Sequence, residues 1–146
     1  MSRMKKILVA YDGSPHSKQA LNWAIDLSLL SGAQVSAVKV FEGNQLMLAA
    51  ETSSTRFLET LETLRREDQQ LLDEAIAIGQ SRGIQVTGEA LQGNIADQVL
   101  TYAKHHGVDL IVVGTKGHGV LEELLMGSVT RNLISLAHIP VLVVKD

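Results

Sequence analysis

Residues Leu110 to Thr130 carry the clearest structural pattern in the chain, and they read LIVVGTKGHGVLEELLMGSVT. The segment begins as a continuous apolar run that ends in glycine, which is typical of a buried parallel strand. A glycine-rich loop follows, and Gly127 and Ser128 then open a helix. Backbone N–H groups are therefore expected at both ends of the segment, where they can hold a phosphate. We interpret the segment as an anion-binding site of the nucleotide type.

Length and composition limit the class of protein. The chain has 146 residues, which favours a single domain over residues 1–146 whose core needs no disulfides. It has no cysteine, which excludes thiolate chemistry and fits a cytoplasmic location. The formal net charge is −3, with both signs interspersed, so we expect no binding to nucleic acid or to a membrane surface. We also expect no signal peptide and no membrane span.

Short β-favouring runs alternate with helical patterns along the chain. This alternation predicts parallel strands, right-handed crossovers and helices on both faces of one sheet. We predict an α/β, Rossmann-like fold with a single open five-stranded parallel sheet in the order 3-2-1-4-5. The predicted strands are Ile7 to Tyr11, Gln34 to Val40, Ile84 to Gly88, Val108 to Gly114 and Pro140 to Val144. The predicted helices are Pro15 to Ser31, Thr55 to Arg82, Gly93 to His106 and Ser128 to Ala137.

Turn and cap residues mark several of these boundaries. Ser14 can cap the helix that begins at Pro15, and Gly32 stands where its C-terminal cap belongs. Asn94 can cap the third helix in the same way as Ser14. From Phe41 to Ser54 no period is clear, so the segment can be a loop, a lid or a subunit contact. A partly helical connection packed on the core is the favoured interpretation.

The predicted topology brings two loops together. In open α/β sheets, ligands bind beyond the carboxyl ends of the strands, where the strand order reverses. Strands one and four are neighbours there, so the turn after strand one would face the glycine loop after strand four. Asp12 in that turn can bind ribose hydroxyls or a divalent ion that bridges phosphates. Gly114 and Gly117 would let the backbone approach phosphates, while Gly127 would present its amide at a helix start.

Each of these residues also has a simpler interpretation. Gly114 and Gly117 can make only a tight turn, Asp12 can cap its own turn, and Ser128 can be only an N-cap. Four of the histidines are not spaced like metal ligands and have no carboxylates placed to complete a metal site. We therefore interpret them as surface or cap residues. They are His16, His105, His106 and His138. No metal site made by protein side chains alone is predicted.

Several motifs occur together and in a fixed order. Gly114, Gly117, Gly127 and Ser128 form the pattern G-x2-G-x9-G-S. The chain opens with I-L-V-A-Y-D-G-S, continues with G-N-I-A and V-D-L-I-V-V-G-T-K-G-H-G, and closes with G-S-V-T and H-I-P-V-L-V-V-K. Over its whole length the chain resembles the universal stress protein family, in its ATP-binding branch.

The resemblance implies an adenine nucleotide as ligand, namely ATP with Mg²⁺ or Mn²⁺, and gives each site residue a place. The residues implied beside the base and ribose are Ala10, Tyr11, Asp12 and, through its backbone at the adenine edge, Val40. Those implied on the ribose and phosphate side are Val113, Gly114, Gly117 and His118. Those implied to hold the phosphates are Gly127, Ser128, Val129 and Thr130. The phosphate contact of Lys116 stays open.

The resemblance also implies a homodimer, joined by antiparallel pairing of the last strand, Pro140 to Lys145. That strand would otherwise be an exposed apolar edge, which proteins usually cover. The favoured function is an ATP-binding regulatory protein of the stress response, in which nucleotide occupancy changes the conformation or the choice of a protein partner.

Other functions stay open at this stage. A slow ATP hydrolase or phosphotransferase has little support, because the chain lacks G-x4-G-K-[ST] and places no clear base near a γ-phosphate. At most we expect weak ATPase activity. A structural dimer module that binds no nucleotide is a further alternative, although family members of that kind lack the spaced glycines. A flavodoxin-like electron carrier is remote, since few aromatic residues could sandwich a flavin.

Overall fold

The computed structural model describes residues 4–42, 54–117 and 126–145. Its strands are β1 (Lys6–Ala10), β2 (Gln34–Phe41), β3 (Val86–Gln92), β4 (Leu110–Gly114) and β5 (Val141–Val144). Its helices are α1 (Pro15–Ser31), α2 (Ser54–Ser81), α3 (Ile95–His106) and α4 (Ser128–Leu136). The segment between Phe41 and Ser54, predicted to be a partly helical connection, lies almost wholly outside the described residues.

All five strands pair in parallel, in the order β3-β2-β1-β4-β5. The predicted fold class and strand order are therefore confirmed. At the centre of the sheet, Val9 of β1 lies opposite Ala37 of β2 and Val112 of β4. The strand order reverses between β1 and β4, so the carboxyl ends of these two strands form the switch point at which such sheets bind ligands.

Alternating side chains divide the core into two layers, one on each face of the sheet. On one face, Ile7 and Val9 of β1 belong to a buried cluster with Leu21 of α1 and Leu72 of α2. On the other face, Leu8 belongs to a cluster that includes residues of α3 and α4. Helices therefore cover both faces, as predicted. Within the described ranges, no helix combines the length and the apolar character needed to cross a bilayer.

The predicted caps of α1 and α3 are confirmed. The Ser14 hydroxyl accepts a hydrogen bond from the N–H of Ser17 at 3.2 Å, and Gly32 ends α1 with φ of 77°. The Asn94 side chain accepts from the N–H of Asp97 at 3.0 Å. Ser128, by contrast, is not an N-cap: the cap of α4 is Gly127, with no side-chain cap hydrogen bond.

The third strand differs from its predicted bounds at both ends. It was expected from Ile84 to Gly88, but Ile84 still belongs to the turn after α2, where its N–H donates to the carbonyl of Gly79 at 2.9 Å. The strand then continues beyond Gly88 because β2 offers backbone partners as far as the pair of Phe41 with Gln92. Tertiary pairing thus extends a strand that the sequence pattern alone ends too early.

Candidate functional site

A cavity of about 560 Å³ opens at the carboxyl ends of β1, β2 and β4, within the usual range for small-molecule sites. Helix α2 forms one wall, and the start of α4 forms another. Eleven of the twelve predicted site residues line this cavity: Ala10, Tyr11, Asp12, Val40, Val113, Gly114, Gly117, Gly127, Ser128, Val129 and Thr130. The twelfth, His118, lies outside the described residues. All the predicted site residues that the structure describes therefore border one cavity.

Asp12 holds the turn after β1 and also meets the loop after β4. Its Oδ1 accepts a hydrogen bond from the N–H of Ser14 at 2.9 Å, and its own N–H donates to the Ser17 hydroxyl at 3.3 Å. The simpler interpretation, in which Asp12 caps its own turn, is thus confirmed. Its Oδ2, however, lies against the Cα of Gly117, where a Cβ would overlap it. The predicted meeting of the two loops is observed.

The two loop glycines are required by contacts within the protein. A Cβ on Gly114 would lie 2.7 Å from the Cβ of His16 and 2.8 Å from its carbonyl oxygen. Gly114 therefore lets the start of α1 pack closely on the end of β4. Gly117 leaves room for the Asp12 carboxylate in the same way. Both glycines still border the cavity, so the close approach of backbone that they allow also shapes the space for a ligand.

The start of α4 borders the cavity with the first turn of a helix. The N–H of Gly127 donates to the carbonyl of Thr115 at 2.8 Å, so this amide is already engaged. The first helical bond runs from the N–H of Arg131 to the carbonyl of Gly127 at 3.1 Å. The N–H groups of residues 128–130 consequently have no partner within the helix, as at any helix start, and they border the cavity with the positive end of the helix dipole.

Thr130 has a structural role beside this amide group. Its hydroxyl donates to the carbonyl of Gly114 at 2.8 Å, and the residue is buried. This hydrogen bond ties the first turn of α4 to the end of β4. Ser128, the first residue of α4, is exposed and also borders the cavity.

The part of the cavity lining that β2 and α2 contribute is largely apolar and includes an ion pair that sequence reasoning missed. Its aliphatic residues are Val38, Val40, Leu64 and Leu71. Lys39 of β2 and Asp68 of α2 border the cavity as well, with 3.5 Å between Nζ and Oδ1. A signal for Asp68 was present in the sequence, because it follows Leu64 by four residues and therefore lies on the apolar stripe of α2.

Tyr11 connects the cavity wall to both helices of its layer. Its hydroxyl donates to Glu74 of α2 at 2.5 Å, and Lys18 of α1 lies 3.2 Å from the same carboxylate oxygen. Burial and the neighbouring Glu74 raise the pKa of Tyr11 well above its ordinary value. The hydrogen bond from Tyr11, together with Lys18, lowers the pKa of Glu74 below its ordinary value of 4.5.

Negative side chains outnumber positive ones around the cavity. Among the described lining residues, the carboxylates are Asp12, Glu42, Glu67 and Asp68, and the ammonium groups are Lys39 and Lys116. Side-chain charge alone therefore does not favour a polyanion. An anionic ligand must rely on the backbone N–H groups of α4, on Lys116, or on a cation that arrives with it. Within the described residues, no three His, Asp or Glu side chains are grouped to hold a metal ion by themselves.

Sequence comparison relates this chain to a known protein family. Residues 4–145 match the model of the universal stress protein family. Universal stress protein MJ0531 of Methanocaldococcus jannaschii is 34% identical over 141 residues, which span 97% of this chain and 82% of the relative. Universal stress protein YxiE of Bacillus subtilis is 31% identical, and the match covers 96% of this chain and 98% of the relative.

Solved structures extend the comparison. The structure of MJ0577, a protein whose biochemical function was assigned from its structure, superimposes with a TM-score of 0.86 at 28% identity and covers 99% of this chain and 98% of its own. A universal stress protein from Archaeoglobus fulgidus in complex with dAMP has a TM-score of 0.68 at 21% identity, covering 98% of both chains. A universal stress protein in complex with cAMP has a TM-score of 0.70 at 22% identity, covering 99% of this chain and 98% of its own.

The Tyr11 to Glu74 hydrogen bond makes stability depend on pH. Because the pKa of Glu74 is lowered in the folded state, its contribution is present above pH 4.5 and is lost as the pH falls through the lowered pKa. We expect Tyr11→Phe to lower the free energy of unfolding by about 0.5–1 kcal/mol at about pH 7, with a smaller loss at about pH 3.5. Urea denaturation at the two pH values measures this.

The control for this prediction is the same substitution made in a Glu74→Gln background. There the cost of Tyr11→Phe should no longer change between the two pH values, since the titrating partner has been removed. An equal cost at both pH values in the otherwise native chain would show that the hydrogen bond does not govern the ionisation of Glu74.

Proposed function

Because this chain belongs to the universal stress protein family, we propose that it is an adenine-nucleotide-binding regulatory protein of the stress response, with ATP as its ligand. One observation supports the proposal: a single cavity is bordered both by the first residues of α4 and by aliphatic residues of β2 and α2. A nucleotide has phosphates at one end and an aromatic base at the other. We therefore orient the ligand with its phosphates at the start of α4 and its base against β2 and α2.

In that orientation, the phosphates lie at residues 128–130 and the base lies between β2 and α2. The ribose then lies in the middle of the cavity, near Asp12 and Gly117. Asp12 borders the cavity there, and the N–H of Ser14 uses one of the roughly four lone-pair positions that a carboxylate offers. These placements follow from the groups that line each part of the cavity. Two universal stress proteins with the same fold have been solved in complex with dAMP and with cAMP, which supports an adenine nucleotide as the ligand.

The excess of carboxylates around the cavity supports a divalent ion as part of the ligand. Among the described lining residues, a triphosphate would otherwise add its charge to four acidic side chains that are opposed by two ammonium groups. Mg²⁺ or Mn²⁺ bound to the phosphates would relieve this repulsion and bring a hard oxygen-ligated cation towards Asp12. ATP with its metal ion is thus a better fit than the free trianion or tetra-anion.

Nucleotide occupancy would act on the protein surface through two helices. The cavity is bordered by Leu64 and Leu71 of α2 on one face of the sheet and by the start of α4 on the other. A bound nucleotide would contact both, so it would favour one relative arrangement of these helices over others. We propose that a regulatory protein partner in the cytoplasm recognises that arrangement.

Binding is tested by thermal unfolding with ATP and Mg²⁺. At about one hundred times the dissociation constant, the nucleotide should raise the melting temperature by roughly 5–10 °C. Gly117→Val should abolish this rise, because its side chain would displace the Asp12 carboxylate and occupy the central part of the cavity. The absence of any shift in the native chain would contradict the proposal.

Gly107→Val serves as the matched control. Gly107 ends α3 with φ of 63°, and nothing lies within 4 Å of the position of a Cβ there. The valine is strained in this backbone conformation and should lower the melting temperature. It does not border the cavity, so ATP should raise the melting temperature of this variant as it does that of the native chain.

The proposal includes a homodimer formed along β5, the strand at one edge of the sheet. The carbonyls of Pro140 and Val144 accept hydrogen bonds from β4. Because successive residues of a strand direct their backbone N–H and C=O groups to opposite sides, those of Val141 and Val143 point away from β4 towards the open edge. Leu136 at the end of α4, 55% exposed, adds apolar surface nearby in the chain. An exposed apolar edge of this kind favours pairing with a second copy.

Val143→Pro tests this interface selectively. Proline removes an N–H that points to the open edge and leaves the bonds between β4 and β5 in place, so the dimer should dissociate while the fold persists. Val143→Ala keeps the N–H and is the control. Sedimentation equilibrium should show dimers for the native chain and for Val143→Ala, and monomers for Val143→Pro. A folded Val143→Pro that remains dimeric would rule out pairing along β5.

A further inference from the structure

The ion pair between Lys39 and Asp68 is an unusual feature of the cavity wall. Their side chains are only 17% and 10% exposed, and both border the cavity. Removing two charges from water carries a large desolvation cost, so a buried pair is weak evidence for a role in stability. Its position instead suggests a role towards the ligand.

The pair lies where the proposed orientation places the base. Lys39 follows Val38 and precedes Val40 on β2, and Asp68 lies between Leu64 and Leu71 along α2. The surrounding wall is aliphatic and suits an aromatic ring. Beside the aliphatic residues of β2 and α2, Lys39 and Asp68 supply charged groups that can distinguish one base edge from another.

The backbone of β2 adds an acceptor at the same place. Pairing of β1 with β2 ends at Ala10 and Val38, with one further bond from the N–H of Tyr11 to the carbonyl of Val38 at 2.9 Å. Two residues later, Val40 directs its carbonyl to the same side, beyond the end of β1. The ammonium of Lys39 donates to this carbonyl at 3.0 Å.

The hydrogen-bond and ion-pair distances indicate different roles for Lys39 and Asp68. The Lys39 ammonium is hydrogen-bonded to Val40, whereas its Nζ lies 3.5 Å from Asp68, farther than the roughly 2.7–2.9 Å of a charge-assisted hydrogen bond. Lys39 thus neutralises the Asp68 carboxylate without using up its acceptor capacity. The ionised carboxylate can accept hydrogen bonds but cannot donate one.

We propose that Asp68, neutralised by Lys39, determines base specificity by favouring a base with an exocyclic amino group over one with an oxo group at the same position. For purines, this means a 6-aminopurine over a 6-oxopurine. The amino group donates to the carboxylate, while an oxo group brings its lone pairs against it. The inference rests on the proposed nucleotide function and assigns its selectivity to named side chains.

The test compares ATP with ITP, which carries an oxo group in place of the 6-amino group, by isothermal titration calorimetry with Mg²⁺. The native chain should bind ATP at least about tenfold more tightly than ITP. Asp68→Asn should reduce this ratio by about tenfold, because an amide can turn either its oxygen or its NH₂ towards the base. A loss of ATP and ITP affinity by the same factor would overturn the proposal, since that result indicates a structural role only.

A second variant tests the same proposal in case Asp68→Asn does not fold. Replacing a buried ion pair with apolar side chains of similar size is often neutral or stabilising, so Lys39→Met combined with Asp68→Leu should remain folded. Its ratio of ITP to ATP dissociation constants should approach one. Retention of the native ratio in this double variant would likewise overturn the proposal.

Asp73→Asn is the matched control, since Asp73 is an exposed carboxylate on the same helix and does not border the cavity. It should leave the ratio unchanged, and a loss equal to that of Asp68→Asn would overturn the assignment to Asp68. If the native chain binds neither nucleotide, the proposed function fails as well. If it binds both equally well, the function stands and only the specificity inference fails.

Discussion

The parallel pairing of β1 with β4, in which Val9 lies opposite Val112, determines where the rest of the site can lie. The chain leaves β1 for α1 on one face of the sheet, and it reaches α4 on the other face after β4. Neither helix covers the carboxyl ends of both strands, so a crevice remains between them. The turn at Asp12, the loop at Gly117 and the first turn of α4 all border that crevice because of this one pairing.

Contacts within the protein fix the relative positions of the segments around this crevice. The Thr130 hydroxyl fixes α4 to the carbonyl of Gly114, and the Gly127 amide is bonded to Thr115. Asp12 is bonded to Ser14 and rests against Gly117. Such a site needs little rearrangement to accept a nucleotide, which lowers the cost of binding. Several of the predicted ligand residues therefore also make a hydrogen bond or a packing contact within the protein.

Much of this arrangement could be predicted from the sequence, because it follows from local signals. Alternating strand and helix patterns predicted a parallel sheet with helices on both faces, the strand order was taken from the common arrangement of such sheets, and Ser14 and Asn94 predicted two helix starts. Features that depend on tertiary contacts could not be predicted in this way. The extension of β3 to Gln92 depends on β2, and the engaged amide of Gly127 depends on Thr115. Asp68 was missed because an acidic residue on a charged helix is usually solvated, although its spacing from Leu64 placed it on the apolar stripe.

The central claim is that the first-turn amides of α4 hold phosphates while the end of β2 holds a base. Backbone ¹⁵N–¹H NMR of the folded protein, titrated with ATP and separately with inorganic triphosphate, tests it most directly. We predict that both ligands shift the amides of Ser128, Val129 and Thr130, and that ATP alone also shifts the amide of Val40. Saturation with ATP that leaves the amides at residues 128–130 unshifted would contradict it.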